Sequence, residues 1–424
     1  MEAVQRASPS PLRAVSGLIV SMALVAIGSG LMFAFIPVKL GELGFSPSVA
    51  GWILTGMAAG GFVGCLYTGR LVKRVGHARA YMTLAALTIL SHVFLALTND
   101  PAVWTAARMV YGFAVTGLFI VSQSWLNDAS PNEWRGRVMA IFYMAYVVCI
   151  GIGGYMISFI DTGTAAGPLL AVSLVTLAIL PVGTTILRAP LPPEHVSIAL
   201  RAVWKISPVG LAGLLAVGGL TLLVQGFAPI YAQAEGYSQS QIGLLLFLMQ
   251  FGMIAVQLPL GALSDRIDRR YVLVAATLLI VIFAGLAARN DGDALWLLIL
   301  LFAVWAGATE TIYAVANAHA NDRASPEYYV AVSTTMLFAW SLSGFVIPGF
   351  ATLMTSFFGV KAFMYVAIAI AAAYGLFVVY RMAQREAAAA DEHVAYEPRA
   401  AQAVYAPELS APVEDEIEPE QLPS

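Results

Sequence analysis

Charge is scarce in this 424-residue chain: Asp, Glu, Lys and Arg make up 11% of it, against 59% hydrophobic residues. Soluble globular domains carry about 25% charged residues, so water is excluded as the main solvent of this surface. Cysteine is nearly absent, and Cys65 and Cys149 both fall inside apolar stretches, which suggests neither a disulfide framework nor a Cys-based metal site. The five histidines, His77, His92, His195, His319 and His393, stand at no metal-ligand spacing. There is no His-Glu-x-x-His pair, no Gly-x-Ser-x-Gly elbow and no Gly-x-x-x-x-Gly-Lys phosphate loop. The chain therefore reads as a non-enzyme, with no catalytic residue, no metal and no cofactor. Its basic residues form no compact patch, so nucleic acid is not an expected partner.

What is abundant is apolar helix. The mean hydropathy is +0.79, and about twelve stretches between residues 15 and 380 are long enough to cross a bilayer, which takes roughly 20 residues of helix. The alternating pattern of barrel strands is missing. The expected fold class is an all-α integral membrane protein with the lipid bilayer as solvent. The first stretch follows Arg6 and Arg13 and runs through Pro37 without a clear small-residue cleavage site, so it reads as a span, not a signal peptide.

Basic residues set an orientation. If both termini are cytoplasmic, one side receives Arg70, Lys73, Arg74, Arg79, Arg135, Arg137, Arg188, Arg201, Lys205, Arg266, Arg269, Arg270, Arg323, Arg381 and Arg385, and the other only Lys39, Arg289 and Lys361. That asymmetry follows the positive-inside rule and supports an even number of spans. The formal net charge of −3 conceals it, because residues 386–424 hold ten of the 25 acidic residues and one arginine. Without that tail, 21 basic residues face 15 acidic ones, a net of +6. The tail, ending APVEDEIEPEQLPS, is expected to be disordered in the cytoplasm.

The chain repeats itself. GALSDRIDRR from Gly261 echoes GRLVKRVGHAR from Gly69, GYSQSQIG from Gly236 echoes GFSPSVAG from Gly44, and Pro229 echoes Pro37, each at a shift of 192 residues. NDASPNE from Asn127 returns as NDRASPE from Asn321 at a shift of 194. The expected organisation is a short cytoplasmic N-terminus (1–14), a six-helix bundle (15–187), a polar cytoplasmic linker (188–207), a second six-helix bundle (208–385) and the acidic tail. Paired six-helix halves are one of the transporter architectures, with the solute site near the midplane between them.

Over about residues 10–385 the chain resembles the major facilitator superfamily. GALSDRIDRR fits that superfamily's Gly-x-Leu-x-Asp-Arg-x-x-Arg-Arg signature, and RMVYG (Arg108–Gly112) is similar to its Arg-x-x-x-Gly pattern in the fourth span. SQSWLNDASPNEWRGR and AHANDRASPE resemble its YcaD-like branch. The Gly-rich motif with a proline that drug exporters of the superfamily carry in the fifth span is met only by VVCIGIGGYMI, which has the glycines but no proline.

The resemblance implies that Asp265 closes a cytoplasmic gate by docking on a helix N-terminus of the other half. The partner here would be the start of the fifth span, near Arg135, Arg137 and Val138, with Arg266 and Arg270 completing the charged turn. A carboxylate at a helix N-terminus contributes about 1 kcal/mol. Lys73, at the matching place in the first half, has the wrong sign, so the expected gate is asymmetric; plain orientation signals are the competing reading.

Charges inside spans are costly unless paired or hydrated. Arg108 and Glu310 are such charges. Arg108, Tyr111 and Ser122 share one helical face, as do Glu310, Tyr313 and Asn317. By resemblance, spans 1, 4, 7 and 10 line the cavity, which adds Gln123, Thr221 and Gln225 to the candidate solute path. Glu310 is the expected proton carrier, since a desolvated carboxyl can alternate between charged and neutral forms. Arg108 would tune it or bind an anionic solute group. A static polar network holding helices together competes with both readings, and packing competes with cavity lining for Phe33, Phe35, Trp125, Trp305 and Tyr313.

The expected function is secondary active transport of a small organic solute, a metabolite or an amphiphilic drug-like compound. It would proceed by alternating access, coupled to protons, in a monomer of a bacterial cytoplasmic membrane. A transporter-shaped receptor or regulator, and a lipid or amphiphile mover on the same fold, remain the alternatives.

Overall fold

The computed structural model describes residues 11–185, 198–290, 294–325 and 328–384. The acidic tail, the first ten residues and linker residues 188–197 lie outside them. Every regular element described is helical. Among the described residues, twelve helices are long and apolar enough to cross a membrane. We label them α1 (Pro11–Glu42), α2 (Pro47–Val75), α3 (His77–Leu97), α4 (Pro101–Ala129), α5 (Asn132–Met156, extended by a 3-10 turn Ile157–Phe159) and α6 (Ala166–Gly183) in the first half. The second half holds α7 (Pro208–Ala234), α8 (Gln239–Ser264), α9 (Arg269–Arg289), α10 (Leu295–Asn321), α11 (Tyr329–Phe358) and α12 (Ala362–Met382).

Local sequence explains where these helices begin and end. Proline opens α2, α4 and α7, where its missing N–H is no loss. Side chains cap orphan donors: Asp100 accepts from Ala102 N, Ser207 from Gly210 N, and Ser238 forms a capping box with Gln241. Gly44 and Gly236, one repeat apart, turn the chain after α1 and α7 at φ of 78° and 82°, a conformation that favours glycine.

The linker has one structured part. Leu200–Ile206 is a short helix, with Val203 buried, Trp204 stacked on Phe377 at 5.9 Å, and Ala199 N donating to Thr335 Oγ1. The linker thus docks on the second half through apolar residues that its charge conceals.

Packing repeats with the sequence. Helix α2 lies on α4 as α8 lies on α10; α1 meets α5 and α6 as α7 meets α11 and α12; α3 meets α4 and α6 as α9 meets α10 and α12. One pairing breaks the symmetry: α7 packs along α10, whereas α1 and α4 make few contacts. Between halves, α2 meets α11 and α5 meets α8, two seams related by the same repeat. Hydrogen bonds across the seams include Thr55 with Thr352, and Gln239 donating to the carbonyls of Ile157 and Ile160, all at the end opposite the arginine-rich turns. At mid-depth Phe62 packs against Phe338 and Phe345, and Tyr143 OH donates to Gln257 Oε1 at 3.2 Å.

Candidate functional site

Glu310 lies in the middle of α10, fully buried. Its Oε1 accepts from Thr221 Oγ1 at 3.3 Å and from Gln225 Nε2 at 3.4 Å, both on α7. Gln257 of α8 donates to the Glu310 backbone carbonyl at 3.5 Å and accepts from Tyr143 of α5, so hydrogen bonding runs from Glu310's turn across the seam between halves. The close α7–α10 packing is what brings the two donors to the carboxylate. Three of the residues expected from sequence therefore meet at one point.

Arg108, 2% exposed on α4, sits in different company. Its Nη2 donates to Met57 Sδ at 3.0 Å, and its guanidinium lies 3.8 Å from the centre of the Tyr111 ring and 5.9 Å from that of Phe33. Tyr111 OH donates to Ser29 Oγ, and its ring lies 5.3 Å from His92. Nη1 of Arg108 and both ring nitrogens of His92 are buried without a hydrogen-bond partner among the described residues. None of the ion pairs among the described residues involves Arg108. Burying a cation costs several kcal/mol, and stacking on an aromatic face returns about 2 kcal/mol or somewhat more when desolvated, which leaves this guanidinium only partly compensated. The structure does not join Arg108 to Glu310: the contacts of Arg108 belong to the first half, and the carboxylate donors of Glu310 belong to the second.

A cavity of about 100 Å³ opens where α1 and α4 fail to close, lined by Ser29, Phe33, Met57, Phe62, Tyr111, Phe119, Tyr146 and Trp340 among others. A smaller one, against Arg108, Met32, Ile53 and Leu54, shares the walls Phe33 and Met57. A third joins Phe33 to Gln225 and Gln250. Phe33 is thus the side chain around which all three converge.

The remaining expected residues are more scattered. Ser122 and Gln123 are buried on α4, each with an oxygen lacking a hydrogen-bond partner among the described residues, away from the lining of these cavities. Asn317 donates to the Tyr313 carbonyl on its own helix, and Tyr313 packs edge-on against Trp340. Of the aromatics, Phe33 lines the cavities, whereas Phe35 packs on Trp104, Trp125 on His77, and Trp305 on Phe363. Lining residues from α2, α5 and α11, notably Met57, Phe62, Tyr146 and Trp340, were missed. Their apolar character differs in no way from packing residues of the same helices.

At the arginine-rich end the charged residues of the expected gate other than Arg266 have neighbours in their own half. Asp265 Oδ1 lies 3.6 Å from Arg269, whose guanidinium also grips Asp322 at 2.6 Å. Arg270 pairs with Asp268 at 2.7 Å. Arg135 donates to the Asn127 carbonyl, Arg137 stacks over Trp134, and Arg266 is exposed. Burial pushes the Asp268 carboxyl up, but the side-chain and backbone hydrogen bonds from Arg270 outweigh it and hold the group below the usual carboxylate range.

Comparison with known proteins agrees with this architecture. The chain is 26% identical over 348 residues to the uncharacterized MFS-type transporter YcaD of Escherichia coli O139:H28, covering 81% of this chain and 90% of that protein. It is 25% identical over 344 residues to the Shigella flexneri protein of the same name, covering 81% and 89%. Among solved structures, the nucleoside transporter NupG shares its fold with a TM-score of 0.65 at 13% identity, over 88% of this chain and all of that one. The human organic anion transporter MFSD10 does so with a TM-score of 0.60 at 16% identity and the same coverage. The family model for the Major Facilitator Superfamily matches twice, over residues 18–238 and 209–408, with one match starting at the first helix of each half. By repeat, fold and sequence, the chain belongs to the Major Facilitator Superfamily.

Proposed function

We propose that the chain is a proton-coupled secondary transporter of a small organic solute, working as a monomer in a bacterial cytoplasmic membrane with both termini in the cytoplasm. The two six-helix halves rock about the cavity beside Phe33. The observation that carries this reading is Glu310: a carboxylate at the centre of a membrane helix, met by hydroxyl and amide donors of α7. Such a group is kept at a cost unless its change of charge is used, and taking up one proton is the change it undergoes most easily in low dielectric. The relatives and neighbours named as transporters support the same reading. In the alternate state, Asp265 leaves Arg269 and docks at the start of α5 beside Arg135 and Arg137, a contact worth about 1 kcal/mol that biases two nearly balanced states. Tyr111, Gln225 and Tyr313 contribute polar edges near the solute path.

The test is reconstitution of wild type and Glu310→Gln into liposomes holding a pH-sensitive dye, screened against mixed metabolites and amphiphilic compounds. Solute-dependent proton flux is expected in wild type and absent from Glu310→Gln. Solute movement without proton movement in wild type would overturn coupling. No movement of any solute by folded protein would overturn transport and favour a receptor or regulator.

A further inference from the structure

We propose that the substrate is an organic anion with an apolar, ring-sized body, and that its acidic group pairs with Arg108. The inference rests on the transport reading only for the word substrate; the site itself stands on the geometry. A guanidinium stays charged at any physiological pH. Among the described residues Arg108 meets the Met57 thioether sulfur, the Phe33 ring and Tyr111, all neutral, and Nη1 has no acceptor there. The protein has therefore buried a cation without supplying its counter-ion from the described residues. Arg108 borders the small cavity next to Met32 and Ile53, and that cavity shares Phe33 and Met57 with the larger one beside Trp340.

One ligand chemistry fits this pair of spaces. A carboxylate, sulfonate or phosphate accepts from the planar guanidinium fork, while an apolar or aromatic body occupies the space among Phe33, Phe62, Tyr146 and Trp340. A cationic amphiphile would meet a second buried cation, and a neutral one would leave the Arg108 donor unpaired. A site that needs its polar groups satisfied rejects a ligand lacking the matching group far more strongly than one lacking a methylene. Glu310 forms no ion pair with Arg108 among the described residues, and its carboxylate accepts from Thr221 and Gln225 of α7.

The experiment is calorimetric titration of the full-length protein in nanodiscs of neutral lipid with three probes of one shape: naphthoate, naphthamide and naphthylmethylammonium. Wild type is expected to bind naphthoate at least about tenfold more tightly than the amide, a difference of about 1.4 kcal/mol, and the ammonium most weakly. Arg108→Gln should bind acid and amide alike, and Arg108→Lys should keep part of the preference. Melting and size-exclusion profiles verify folding, and Arg108→Lys carries the comparison if Arg108→Gln is unstable. Equal affinity of wild type for acid and amide, tighter ammonium binding, no naphthoate binding by folded protein, or an unchanged preference in folded Arg108→Gln would each overturn the proposal. Adding phosphatidylglycerol to the nanodisc should leave naphthoate affinity unchanged; competitive loss would overturn the small-solute assignment in favour of a lipid headgroup. If liposomes move no solute while the calorimetric preference holds, the anion site stands and transport fails. Movement of the amide or ammonium without that preference would leave transport standing and overturn the anion site.

Discussion

Asp268 shows how much one side chain can hold at the arginine-rich end. It caps α9 by accepting from Arg270 N at 3.0 Å and pairs with the guanidinium of the same residue. Its carboxyl is held below the usual range, so its contribution is present above the ordinary carboxylate pKa and lost as pH falls through the depressed folded value. Asp268→Asn keeps an oxygen that can cap α9 but loses the charge that pairs with the Arg270 guanidinium and the helix N-terminus, so it should lower stability at neutral pH by about 0.3–1 kcal/mol. The gap to wild type should close as the medium is acidified, which melting curves across pH would reveal; a gap that persists in acid would refute the linkage. Single charges are also the most legible feature of the sequence. Glu310 and Arg108 stand out in any apolar window because charge in a membrane helix is rare. Their separation was not legible, since a helical face indicates which way a residue points but not which helix receives it.

At the scale of elements, glycine decides how closely helices cross. A Cβ on Gly112 would lie 1.8 Å from the Met57 carbonyl oxygen, and one on Gly60 would lie 1.8 Å from that of Met109, so α2 and α4 cross backbone to backbone. Gly112→Ala should push them apart at a cost of about 1–3 kcal/mol, seen as a lower melting temperature in detergent. Gly69→Ala, on the same α2 where a Cβ meets nothing within 4 Å, should be neutral or slightly stabilising because Ala favours helix. Equal effects of the two would exclude close crossing as the cause. Residues 56–64, GMAAGGFVG, show in the sequence the small side chains that suit close packing in lipid, but not which helix they meet. The helix Leu200–Ile206 was less legible, because Arg201 and Lys205 mask the apolar contacts of Val203 and Trp204.

For the whole molecule, the rocking reading can be tested at the end opposite the arginines. A Cβ on Gly51 would lie 3.3 Å from that of Thr352, close to the spacing a disulfide needs. With Cys65 and Cys149 replaced, oxidation of Gly51→Cys/Thr352→Cys should pin α2 to α11 and stop solute uptake, and a reductant should restore it. Uptake at the unlinked rate would sink the rocking of halves. In the same background Asp265→Cys and Val138→Cys should link only in the state where the first pair has parted; no linkage in any state would remove the Asp265 latch.

The sequence alone determined the class of molecule. Hydropathy, the 192-residue repeat and the signature around Asp265 specify twelve spans, two related halves and the superfamily, because a bilayer imposes length and polarity rules on each span separately. Tertiary structure decided the site. The α7–α10 contact that gathers Thr221, Gln225 and Glu310, the unclosed α1–α4 pair that leaves a cavity around Phe33, and the neutral surroundings of Arg108 all arise between helices distant in the chain. In lipid the apolar stretches of all twelve helices look alike, so which of them meet, and where they leave space, is settled by side-chain packing that no single span records.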